Sequence, residues 1–102
     1  EDVAIYAREP EASGVMMIPI PRRGVYKGVE GVGIAAGVPH ITDVRITAKP
    51  EAAIVPLPEG RSYLGFIFAR AADPGDVEQA LRASHRELRF LIEKQIPIAD
   101  TA

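Results

Sequence analysis

The segment Ser62–Phe90, SYLGFIFARAADPGDVEQALRASHRELRF, constrains this chain more than any other. Tyr63 to Ala69 is apolar on both alternations: Tyr63, Ile67 and Ala69 point one way, Leu64, Phe66 and Phe68 the other. Such a run predicts a central strand covered on both faces. Asp73 is a good N-cap, and Pro74 suits the first helical position, where its missing N–H would have no intrahelical partner anyway. Asp76 and Glu78 complement the positive end of the helix dipole. Val77, Leu81, Ser84, Leu88 and Leu91 recur at 4-3-4-3 spacing, with Ala80 and Ile92 widening the stripe. The spacing predicts a helix over residues 74–92, roughly 28 Å long. Its exposed side would carry Glu78, Arg82, Arg86, Glu87 and Arg89.

The rest of the chain breaks into shorter pieces. Gly14 to Pro21 is apolar on both faces, but Pro19 and Pro21 lack the N–H that a ladder needs, which predicts an edge strand. Arg22-Arg23-Gly24 is turn chemistry, and Val25 to Val29 returns as a second strand. Glu30 to Val38 is rich in Gly and Ala and is ended by Pro39; a short helix with small side chains fits, allowing close backbone approach. Ile41 to Lys49 alternates, with Thr42, Val44, Ile46 and Ala48 on one face and Ile41, Asp43, Arg45, Thr47 and Lys49 on the other. Pro50-Glu51 turns the chain. Ala53 to Leu57 is a third apolar segment, and Pro56 and Pro58 place it at an edge. Glu59-Gly60-Arg61 makes a hairpin connection into Tyr63. Residues 1–13 are expected as a linker or frayed tail, 14–93 as the domain, and 94–102 as a C-terminal tail in which Ile96-Pro97-Ile98 adds an extended piece. The order β-β-α-β-β-β-α argues for an α+β fold. Its antiparallel sheet would hold about four to five strands, with one short helix and one long C-terminal helix packed on it.

Length and charge narrow the function classes. A chain of 102 residues makes one domain and buries roughly 60–70% of its unfolded surface. Net charge is −2, from 12 basic and 14 acidic residues, so nothing drives it electrostatically onto nucleic acid. No basic run suits an anionic membrane surface, and no apolar run approaches the ~20 residues of a membrane helix. The absence of cysteine excludes disulfides, thiolate metal sites and cysteine nucleophiles. It fits a reducing compartment, and a cytoplasmic location is expected. The chain opens on Glu1-Asp2 without an initiator methionine; a piece of a longer protein is expected, with tag removal or maturation as the alternatives.

No catalytic constellation emerges. Gly31-Val32-Gly33-Ile34-Ala35-Ala36 formally matches a dinucleotide phosphate fingerprint. That chemistry needs a buried strand before the glycines and a full helix after them within a βαβ unit. Pro39 cuts the helix short, so small residues packing a helix closely is the better account. Arg22, Arg23 and Lys27 cluster at one turn, either as a solvated basic turn or as an anion contact. Asp43, Arg45 and Lys49 project from one strand face, as a salt-bridge ladder, an interface or an anion site. The anion or interface candidates are therefore Arg22, Arg23, Arg45 and Lys49. His40 and His85 lack partner ligands at metal-binding spacing. Ser13, Ser62 and Ser84 have no visible base or nucleophile elbow.

With these residues in view, GVMMIPIPRRG (14–24), GVPHITDVRITAK (37–49) and VPLPEGRSYLGFIFARAADPGDVEQALRASHRELRF (55–90) together resemble the carboxy-terminal domain of ATP-grasp ligases of the L-amino-acid ligase type. A weaker likeness extends to biotin carboxylase and phosphoribosylglycinamide synthetase. The resemblance implies a parent enzyme that uses ATP and Mg to activate a carboxylate as an acylphosphate for attack by an amine. The ATP-clamping lysines and metal ligands of that family lie upstream, and none of those motifs occurs here. No catalytic, cofactor-binding or metal residue is therefore carried over. The implied partners are the upstream ATP-grasp domains of the same chain and, secondarily, a homodimer mate. Two other classes stay open: a free-standing ligand-binding or regulatory module using the arginines above, and a domain that self-associates through its apolar edge strands.

Overall fold

The computed structural model describes residues 2–8, 11–56 and 63–94. In chain order its elements are β1 (Val3–Arg8), β2 (Glu11–Ile18), β3 (Gly24–Glu30), α1 (Val32–Ala36), β4 (Ile41–Ile46), β5 (Ala53–Ile54), β6 (Gly65–Ala71), α2 (Pro74–Arg86) and β7 (Arg89–Glu93). The strands form a four-stranded sheet in the order β1-β2-β6-β4 and a three-stranded sheet in the order β5-β3-β7. Every pairing is antiparallel. The expected α+β class, with antiparallel strands and one short and one longer helix, is what the chain adopts.

Alternation explains the main sheet. In β2, Ala12, Gly14, Met16 and Ile18 face inward and are buried, whereas Ser13, Val15 and Met17 face the opposite side. In β6, Gly65, Ile67, Ala69 and Ala71 take the inward face. Helix α2 lies over that face and buries Val77, Ala80, Leu81 and Ser84. Asp73 caps it as expected, its Oδ1 accepting from the Gly75 N–H at 3.0 Å. Ile18, Ile67, Val77 and Leu81 are all fully buried, and each contributes about 1.5–3 kcal/mol by leaving water. The same core cluster reaches Tyr26, Ile54 and Ile92 of the smaller sheet, so the two sheets share one interior.

Several boundaries differ from expectation, each for a physical reason. Residues 3–8 are a strand, not a tail: β1 pairs with β2 from Val3↔Met16 to Arg8↔Glu11, and Val3 and Ile5 pack on the core. With β1 outside it, β2 is central rather than an edge. Pro19 and Pro21 follow Ile18, so their missing N–H groups fall beyond the ladder. The expectation of an edge holds for Ala53-Ile54, which borders the smaller sheet. Helix α2 stops at Arg86 instead of running to residue 92. Glu87 and Leu88 donate to Ser84 O and His85 O in a tightened last turn, and Arg89–Glu93 then pairs with β3. In β4 the register shifts between Ile41 and Asp43. This bulge gives Ile41 the same facing as Val44 and Ile46, so all three pack on the core. The Leu57–Ser62 connection and the 95–102 part of the expected tail lie outside the described residues.

Helix α1 is short and closely packed, as its small residues suggest. Ala35 is fully buried, and its carbonyl accepts the Ser84 hydroxyl of α2 at 2.9 Å. Gly31 precedes α1 with φ 90°, and a Cβ there would run into the Glu87 carbonyl oxygen at the end of α2. Only glycine meets both conditions.

Candidate functional site

The basic residues singled out in the sequence do not form one cluster. Arg22 lies in the β2–β3 connection and donates to Ile92 O at 3.1 Å, tying that connection to β7. Lys27 on β3 holds Glu51 at 2.9 and 3.0 Å and approaches Glu93 at 3.8 Å. The hydrogen bond it donates to the Glu51 carboxylate is the chief reason its ammonium is held above the ordinary lysine range. Arg22, Lys27 and Arg89 border one open concavity beside β7, but the Lys27 charge there is already met by carboxylates. Arg23 is exposed in the same turn. Arg45 belongs to the other sheet, bonded through Nε to Asp43 Oδ2 at 2.6 Å, with its guanidinium 6.0 Å from the Phe68 ring centre. Lys49 is exposed in the connection from β4 to β5.

The remaining candidates take structural positions. Ser84 is buried and bonded to Ala35 O. Ser13 is exposed on β2, and Ser62 lies outside the described residues. His40 has φ 76° and offers its carbonyl to the Arg70 N–H at 2.9 Å. His85, half-buried on α2, is pushed below the ordinary imidazole value by burial; Arg82 adds to the shift and Asp2 opposes it. The Gly31–Ala36 match leads into a helix of only five residues in an antiparallel setting, and Gly31 faces the Glu87 carbonyl. Neither feature suits a pyrophosphate. Among the described residues, no group of three or more His, Asp or Glu side chains is placed to hold a metal.

A surface that sequence reasoning missed is the face of the four-stranded sheet opposite α2. The register places Ala4, Val15 and Phe68 in one row across it, and Met17 beside Phe66 in the next. Phe66 and Phe68 stack at 6.5 Å between centres and 28°, and Tyr63 leans on Phe66 at 6.5 Å and 54°. Tyr6 is 67% exposed on the same face. Arg8, Glu11, Arg70, Asp43 and Arg45 surround this apolar centre, with Arg70 and Glu11 4.0 Å apart. A concavity of about 550 Å³ opens at the Tyr6, Arg8, Glu11 and Arg70 corner. The signal in the sequence was the second apolar alternation of residues 63–69.

Fold and surface thus define an antiparallel α+β domain with one helix-covered and one open sheet face. The chain belongs to the L-amino acid ligase C-terminal domain 2 family, whose model matches residues 16–93. The fold is shared with an L-amino acid ligase from Bacillus licheniformis (TM-score 0.73, 22% identity), over 85% of this chain and 21% of that one. It is shared too with a phosphoribosylglycinamide synthetase from Anaerococcus prevotii (TM-score 0.69, 13% identity), over 81% of this chain and 21% of that one. The chain thus spans about a fifth of the length of either protein. No curated protein matches it. The resemblance to ATP-grasp ligase carboxy-terminal domains of the L-amino acid ligase type is met at the level of family and fold. No helix among the described residues is long and apolar enough to cross a membrane.

Proposed function

We propose that this chain is the accessory C-terminal domain of a cytoplasmic ATP-grasp ligase that joins a carboxylate to an amine through an acylphosphate. The domain packs on the grasp core, completes one wall of its site, and supplies no residue to ATP, Mg or the reacting atoms. The observation that carries this reading is the family match over residues 16–93 to a C-terminal domain of L-amino acid ligases. The placement of the basic residues is compatible with it. Arg22 and Lys27 are engaged within the smaller sheet, and Arg45 is engaged with Asp43 on the larger one. These contacts hold the domain's own elements and leave no convergent phosphate cradle among them.

Calorimetric titration of this chain with Mg-ATP tests the reading. The expected result is no saturable heat, because adenine, phosphate and metal are held by other domains. Micromolar affinity for Mg-ATP overturns it.

A further inference from the structure

We infer that the open face of the four-stranded sheet, centred on Val15, Met17, Phe66 and Phe68, is the surface against which the rest of the ligase polypeptide docks. This rests on the accessory-domain reading above and adds the face to it. The strand pattern is the first argument. β6 carries apolar side chains on both alternations, which is the composition of a strand with a layer on each side. Helix α2 supplies one layer, over Ile67, Ala69 and Ala71. On the other side Phe66 and Phe68 are only half-buried, and they cover each other and Tyr63. A contiguous apolar patch rimmed by charge is what contact surfaces present.

Area decides between occupants. Four strands about 4.8 Å apart and six to eight residues long make a face of roughly 400–500 Å². A stable association of separate molecules needs about 800 Å² from each partner. Domain interfaces within one chain total about 600–1,500 Å², or roughly half that per side. The face is therefore too small to hold a second copy and large enough for a covalently joined neighbour. Charge points the same way. The rim holds Arg8, Arg45 and Arg70 against Glu11 and Asp43, so a facing copy would present excess positive charge to its like. The fitting occupant is an apolar surface with an acidic rim.

Chain length and direction supply such an occupant. The L-amino acid ligase that shares the fold has only 21% of its length aligned here, and the matching family is a C-terminal one. The bulk of such a protein therefore precedes this domain. Residues joined ahead of Asp2 leave from β1, the border strand of the same sheet, where Asp2 O accepts the Met17 N–H at 2.8 Å. The preceding chain is delivered beside the face it would cover.

Thiol labelling of the full-length ligase that carries this domain provides the test. The domain contains no cysteine, so Ser13→Cys on the open face and Glu78→Cys on the outer side of α2 are compared in an otherwise cysteine-free full chain. Both positions are exposed in the domain itself, and neither substitution disturbs the core. Maleimide is expected to modify Ser13→Cys at least about tenfold more slowly than Glu78→Cys, as a site open less than a tenth of the time would react. The difference should vanish in denaturant. Equal, fast rates at both positions overturn the docking face and leave the packed accessory-domain reading only the smaller sheet. Protection of Glu78→Cys with a fast Ser13→Cys overturns the face alone. Protection of Ser13→Cys that is lost on dilution shows that a second copy covers the face, which also overturns the inference.

Discussion

Gly31 and Gly33 sit two residues apart in the one stretch that mimics a nucleotide fingerprint, and the structure gives their replacement by alanine opposite signs. Gly31 has φ 90° and ψ 9°, and its missing side chain leaves room for the Glu87 carbonyl oxygen. Left-handed backbone costs an L-residue about 1–2 kcal/mol. The collision is with backbone, which cannot rotate aside, and overpacking of that kind costs about 1–3 kcal/mol. Gly31→Ala should therefore lose about 2–5 kcal/mol of the roughly 5–15 available to a domain. Gly33 lies inside α1, is exposed, and has nothing within 4 Å of its would-be Cβ. Gly33→Ala should gain up to about 1 kcal/mol from helix propensity and a less flexible unfolded chain. Urea unfolding followed by far-ultraviolet circular dichroism measures both, provided the slope with denaturant is unchanged. If the two substitutions shift stability in the same direction, or if Gly31→Ala costs less than about 1 kcal/mol, the close packing of α1 on the end of α2 is wrong.

Three smaller effects follow from the same packing. Ser84→Ala should cost about 1 kcal/mol, near the low end for a buried hydrogen bond, because Ala35 O keeps the Val38 N–H at 3.3 Å. In a thermal melt that is a fall of about 4–8 °C, and an unchanged midpoint would show the bond is not made. His85 gives a pH dependence. Burial holds its folded-state value below the ordinary 6.5, so as pH falls the unfolded chain takes up the proton first. Stability should be level above about pH 7 and decline from there downward until the folded imidazole also protonates. His85→Gln should flatten the decline that begins below about pH 7, and an unchanged slope in urea titrations refutes the assignment. Arg45→Ala removes an exposed pair with Asp43 and should change stability by no more than about 1 kcal/mol. A larger loss by chemical denaturation would make that pair structural.

How far the fold was legible depends on whether the partner of a segment lies nearby. Asp73-Pro74 announced the start of α2 because capping is a local transaction between Asp73 and the Gly75 N–H. The end was not legible. Leu88, Leu91 and Ile92 continue a helical stripe equally well, and what overrides it is a ladder to β3, about sixty residues earlier in the chain. The same long-range competition hid β1. Val3, Ala4 and Ile5 make a weak strand signal alone and become one by pairing with Met16, Val15 and Gly14. Proline misled by one position: Pro19 and Pro21 forbid a ladder where they stand, yet the strand ends at Ile18 just before them.

The candidate site shows the reverse relation between pattern and structure. The two charge groups read from the sequence stay separate: Arg22 and Lys27 lie beside β3 and β7, and Asp43 with Arg45 lies on β4 of the other sheet. The two-sided apolar pattern of residues 63–69, by contrast, predicted more burial than the domain provides. Ile67 is fully buried, whereas Phe66 and Phe68 keep part of their rings in water. An aromatic pair held there already has most of its surface out of water, and only the remainder is left for a second layer to cover. Its contribution to folding rises once a second layer covers it. On the docking face inferred above, that second layer is the rest of the ligase, and Phe66 and Phe68 are the side chains it would cover.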